Sequence, residues 1–166
     1  MKEHDVKSMS GIPMLLGLLA GLGVCAYGFI SGIAGQNGFV IGASLLVGLI
    51  LFVMLFGLFM VEPNQSAVIS LFGKYVGTAK EPGLRWNNPF FAKKKISLRV
   101  RNFESSKLKV NDLDGSPIEI ASVVVWQVVD SAEAVYNVDD YESFVHIQSE
   151  SALRAMATSY PYDQHE

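Results

Sequence analysis

The chain has 166 residues, 50% of them apolar, a formal charge of −3 and one cysteine. A lone cysteine excludes an internal disulfide, and the overall charge conceals a division, with the acidic residues mainly after Asp112 and the basic ones next to the apolar run. A chain of this length also has too little material to cover two all-round apolar helices inside a soluble core.

After a polar N-terminal tail over residues 1–11, two such helices are predicted. From Ser8 through Val61 no residue is charged. A charge at the bilayer centre costs about 2.5–3.5 kcal/mol, and a membrane helix needs about 20 apolar residues. The run therefore has room for two spans, Ile12–Ile33 and Phe39–Val61. Ala34-Gly35-Gln36-Asn37-Gly38 between them favours a turn. Two spans joined so tightly form an antiparallel hairpin over residues 12–61, with both chain ends on one side. The first span is too long for a signal-peptide core, and the second follows at once.

The turn carries no charge, whereas Lys74, Lys80, Arg85, Lys93, Lys94, Lys95, Arg99 and Arg101 follow the second span, opposed only by Glu62 and Glu81. The positive-inside rule places both termini in the cytoplasm. The same cluster suits anionic lipid head groups. No basic helix is present, and no aromatics interleave with Lys93-Lys94-Lys95, so no nucleic-acid partner is expected.

Gly17 and Gly21, Gly28 and Gly32, and Gly38 and Gly42 form small-xxx-small pairs. Such a stripe lets a second helix approach closely, either within the hairpin or between protomers. Neither span contains Asp, Glu, Lys, Arg or His, which argues against an ion path or proton relay.

Residues 62–166 follow a different pattern. Ala67 to Phe72 reads as a strand with apolar residues on both faces. Gly73, Gly77 and Pro82-Gly83 punctuate the stretch that follows. Ile96, Leu98 and Val100 alternate with Ser97, Arg99 and Arg101, and Leu108 and Val110 alternate likewise. Asn111 to Gly115 reads as a hairpin turn. Ile118 to Val129 is predicted as the longest strand, with Ile118, Ile120, Val124, Trp126 and Val128 on its inner face and β-branched valines favouring strand over helix.

Two helices are predicted next. Asp130 caps a short one over 131–136, and Asp139 with Glu142 opens a longer one that stops by Tyr160, ahead of Pro161. Tyr141, Phe144, Val145, Gln148, Ala152 and Met156 form its expected inner stripe, and Glu150 can pair with Arg154. Strands first and helices afterwards indicate an α+β fold, an antiparallel sheet with helices on one side.

No catalytic, cofactor-binding or metal-binding residue is assigned. His4, His146 and His165 are scattered, Cys25 lies in a span, and no nucleophile elbow, phosphate loop or zinc spacing occurs. Asp112, Asp114 and Glu119 lack the full spacing of a calcium loop and read as a turn.

Three stretches together carry a family resemblance. They are Glu62-Pro63-Asn64-Gln65-Ser66-Ala67-Val68, Phe72-Gly73-Lys74-Tyr75, and Pro82-Gly83-Leu84-Arg85-Trp86-Asn87-Asn88-Pro89-Phe90. With Val110 through Gly115, the valine-rich strand, and Ala134 to Arg154, they resemble the SPFH, or band-seven, domain of stomatin, prohibitin and flotillin. The resemblance covers about Glu62 to Asp163. It implies a non-enzymatic, membrane-anchored scaffold that forms homo-oligomers and organises membrane microdomains and their proteins. An alternative is a regulatory partner of a membrane-bound protease. The implied partners are the lipid bilayer and further copies of the chain, and the implied location is a bacterial inner membrane. Family members normally continue into a long coiled-coil helix. The domain is therefore expected to be incomplete at Glu166, and assembly of this form to be weak.

Overall fold

Both apolar segments are helical in the computed structural model, which describes residues 2–163. Helix α1 spans Gly11–Ala34 and α2 spans Gly38–Leu55. Gln36 turns the chain with φ of 50°, and Asn37 caps α2 by accepting a hydrogen bond from the Val40 amide at 3.4 Å. The apolar run continues to Val61, but the helix does not. Leu58–Val61 is strand β2, with Phe59 and Val61 turned inward and Met60 outward. Gly57 makes the change possible, because a Cβ there would lie 2.2 Å from the Asn87 carbonyl oxygen.

The chain divides into two compact units, one of Glu3–Ser97 and one that begins at Leu98. The first holds the helices and two antiparallel sheets. One has the order β1 (Met9–Ser10), β5 (Gly83–Trp86), β2. The other has the order β4 (Lys74–Ala79), β3 (Gln65–Leu71), β6 (Ala92–Ser97). Strand β3 is buried on both faces, as its sequence predicts: Ser66, Ala67, Val68 and Ile69 are all inaccessible. Phe72 (φ 48°) and Gly73 (φ 84°) close the β3–β4 hairpin. Two positive φ values are what a two-residue hairpin matched to strand twist requires.

The N-terminal tail is not free. The Thr78 amide donates to the His4 carbonyl at 2.7 Å, and the Val6 amide donates to the Thr78 carbonyl at 3.1 Å. Lys80 pairs with Glu3 at 3.1 Å, and Arg85 donates to the Ser8 hydroxyl at 2.8 Å. The tail thus covers the exposed edge of β4, whose backbone groups would otherwise lack partners.

The second unit contains β7 (Arg101–Glu104) paired with β10 (Val123–Trp126), and β8 (Leu108–Asn111) paired with β9 (Pro117–Ile120). The alternation from Ile96 to Arg101 does not form one strand: β6 stops at Ser97, β7 starts at Arg101, and Val100 is exposed. The single strand expected from Ile118 to Val129 is likewise two, broken at Ala121–Ser122. There the Ser105 amide donates to the Ser122 carbonyl and the Ser122 amide donates to the Ser105 hydroxyl. The facing is nevertheless as expected. Ile118, Ile120, Val124, Trp126 and Val128 are half-buried, and Val123, Val125 and Val129 are exposed.

Helix α3 (Ser131–Tyr136) is capped by Asp130, which accepts from the Glu133 amide at 2.9 Å. Helix α4 (Tyr141–Ser159) starts one residue later than the Asp139 cap implied, because Asp140 accepts from the Glu142 and Ser143 amides. Its inner face is Tyr141, Val145, Ser149, Leu153 and Ala157, while Phe144, Gln148, Ala152 and Met156 are exposed. Apolar residues occur around much of α4, so their spacing alone does not select the packed face.

Asp112 joins the β8–β9 turn to the chain after α4. Its carboxylate accepts from the Ser116 amide at 2.7 Å and from the Tyr162 amide at 3.1 Å. The Tyr162 N–H is the chief cause of a lowered Asp112 pKa; burial works against it, and the Ser116, Asp114 and Gly115 amides add to it. A carboxyl whose folded pKa is lowered contributes stability above its unfolded value of about 3.9 and loses it as pH falls through the folded value. Protection of the Tyr162 amide from hydrogen exchange, taken relative to the intrinsic rate at each pH, is therefore expected to hold above the ordinary carboxyl range of about 3.9 and to fall as the carboxylate is protonated at lower pH. Asp112→Ala removes both acceptor oxygens. Tyr162 protection should then be low at every pH, and a variant that keeps wild-type protection would refute this latch.

Candidate membrane anchor and interfacial groove

An α-helix rises 1.5 Å per residue, so α1 with 24 residues is about 36 Å long and α2 with 18 is about 27 Å long. A bilayer core is about 30 Å thick. Both helices are apolar and almost wholly exposed along their length, which a core helix of a soluble protein is not.

The helices pack on each other through part of the glycine pattern. A Cβ at Gly28 would lie 2.9 Å from the Ser44 hydroxyl oxygen, and one at Gly32 would lie 3.0 Å from Ile41. Gly21 faces Leu51 in the same way, whereas Gly17, Gly38 and Gly42 meet nothing within 4 Å. The Gly21–Gly28–Gly32 stripe therefore belongs to packing within the hairpin. Cys25 lies beside Gly48 on the same seam.

Strand β5 pairs with β1, which leads into α1, and with β2, which follows α2. One sheet thus holds the entry and the exit of the hairpin together, so both open at the same end. No charge pattern is needed for this conclusion.

Beyond β5, Trp86 and the residues to Phe91 lie alongside the last turns of α2. The Trp86 indole N–H donates to the Met54 carbonyl at 2.8 Å, satisfying a helix-end acceptor. Asn88 folds the segment by accepting from the Phe90 amide at 3.0 Å. Between helix and segment is a groove of ≈ 600 Å³, lined by Leu49, Ile50, Val53, Trp86, Pro89 and Phe90 among others. In the same unit Lys93 Nζ lies 4.9 Å from the centre of the Phe59 ring, and burial pushes its pKa down. Aromaticity at Trp86 and Phe90 hinted at this place, but the groove itself depends on a helix about thirty residues away in sequence.

The residues considered for metal or catalysis are not brought together. His4 lies on the tail beside Tyr75, His146 stacks on Phe103 with ring centres 4.0 Å apart in the other unit, and His165 lies outside the described residues. Asp112 is engaged by backbone amides rather than by Asp114 or Glu119. Among the described residues no group of three or more His, Cys, Asp or Glu side chains could hold a metal ion.

Comparison with known proteins gives a match to the model of the SPFH domain / Band 7 family over residues 59–165. The chain is 26% identical over 122 residues to an uncharacterized protein of Methanocaldococcus jannaschii, which covers 72% of this chain and 61% of that protein. It is 30% identical over 122 residues to an uncharacterized protein of Methanothermobacter thermautotrophicus, covering 72% of this chain and 38% of that protein. The chain thus spans less than two thirds of either relative. The family match begins inside β2, where the hairpin ends, and includes all the later strands and helices. The chain belongs to the SPFH domain / Band 7 family, whose members are in general membrane-associated, self-assembling scaffolds and regulators without enzymatic activity.

Proposed function

We propose that this chain is a membrane-anchored, self-assembling, non-enzymatic scaffold that organises patches of bilayer and the membrane proteins within them. The observation that carries the reading is the direct join of an SPFH domain to two exposed apolar helices, with both helix ends held in one sheet. In this reading α1 and α2 span a cell membrane and β2 onward forms the scaffold domain. Both termini face the cytoplasm, on the side of the basic cluster from Lys74 to Arg101.

A ring needs a head-to-tail contact repeated around an axis. A contact made by this portion alone buries less surface than one reinforced by a long coiled-coil helix. In mild detergent, size-exclusion chromatography with light scattering should show residues 1–166 as a monomer or weak oligomer. A chain continued by the family's coiled-coil helix should run as a large uniform complex. A strictly monomeric extended chain would contradict the scaffold reading. Recovery of a membrane protease with the extended complex would turn it toward protease regulation.

A further inference from the structure

We propose that the groove between α2 and the Trp86–Phe91 segment seats one hydrocarbon chain of a bilayer lipid. One wall is Leu49, Ile50 and Val53, on the last turns of a helix apolar enough to cross a membrane. Leu49 and Ile50 are 61% and 52% exposed, so this wall is part of the surface that α2 presents to lipid. The other wall is Trp86, Pro89 and Phe90, and Phe90 is 65% exposed. The groove is therefore continuous with the bilayer-facing surface of α2, and hydrocarbon is the phase that reaches it.

Its level along the helix agrees. Helix α2 is about 27 Å long, shorter than a bilayer core of about 30 Å. A short span leaves hydrocarbon at its end to be matched by other apolar groups. Trp86 and Phe90 supply them at the last turn, the depth at which aromatic side chains gather in membrane proteins. Asn87, which also lines the groove, marks its polar boundary. A water-filled groove with these walls would instead leave apolar area in contact with solvent.

The inference rests on the reading of α1 and α2 as membrane spans. The chain has two tryptophans, so Trp126→Phe leaves Trp86 as the only indole reporter. This variant of residues 1–166, in detergent micelles, is titrated with phosphatidylcholine brominated on its acyl chains. Trp86 emission should fall and saturate at one lipid per chain. Val53→Phe and, separately, Ile50→Phe fill the groove and should abolish the saturable loss. No loss of emission, or a saturable loss in both filled variants equal to that of the unfilled chain, would overturn the proposal. A second copy covering the groove would overturn it too, and would show as emission that changes with protein concentration but not with lipid. Flotation of the same chain with phosphatidylcholine vesicles separates the two readings. A chain that does not float refutes the spans, and one that floats without saturable quenching refutes the groove alone.

Discussion

Ile69→Ala is expected to destabilise the first unit by about 2–5 kcal/mol, the usual range for a large-to-small change in a packed core. Ile69 is fully inaccessible and clusters with Phe59, Val61, Ala67 and Ala79. Its strand is the middle one of three, hydrogen-bonded to β4 on one side and β6 on the other. Both ladders restrain the backbone, so the cavity left by the missing methyl groups cannot readily collapse. Phe72→Ala, three residues away, is the control. That ring is 89% exposed, and surface changes usually stay within about 0.5 kcal/mol. Urea unfolding in detergent, in the Trp126→Phe background and followed by Trp86 emission, compares the two. Similar midpoints for both variants would contradict the placement of β3 at the centre of the sheet.

Gly32→Leu is expected to force the membrane hairpin apart. A Cβ at Gly32 already sits 3.0 Å from Ile41 Cγ1, 3.1 Å from Val40 Cγ1 and 3.2 Å from the Ile41 amide nitrogen. The last contact is backbone, so a leucine cannot be accommodated by a rotamer change alone. Overpacking of this kind costs about 1–3 kcal/mol and more where backbone must move. A crosslink reads the distance directly. The Cβ of a residue at Gly28 would lie 4.0 Å from Ser44 Cβ, within the range of about 3.5–4.5 Å for a disulfide. With Cys25→Ser as background, Gly28→Cys and Ser44→Cys together should oxidise within one chain. Adding Gly32→Leu should reduce the yield strongly, while adding Gly17→Leu, where nothing lies within 4 Å, should not. Equal yields would show that the glycine stripe does not set the helix approach.

Much of this architecture is legible in the sequence, because its signals are local. An uncharged run with a Gly/Asn turn yields two helices, and Asp130 three residues before Glu133 yields α3 with its cap. Alternation places Trp126 and its neighbours on the correct face although the strand is broken beneath them. The errors come from signals that are not local. Hydropathy is the same for the end of α2 and the start of β2, and only pairing with β5 separates them. The tail from Glu3 to Ser10 reads as merely polar, because its partners lie beyond residue 74. The interfacial groove is hidden for the same reason: α2 and the Trp86–Phe91 segment meet only in the folded chain.

The proposed function requires α1 and α2 to cross a membrane as a hairpin and to leave the SPFH domain on the cytoplasmic side. Single cysteines in a Cys25→Ser background test it most directly, at Gln36 in the turn and at Leu113, which is 61% exposed. In intact cells an impermeant thiol reagent should label the cysteine at Gln36 and leave the one at Leu113 unlabelled until the membrane is opened. Labelling of both from outside would contradict the hairpin, and labelling of Leu113 alone would contradict the cytoplasmic placement of the domain.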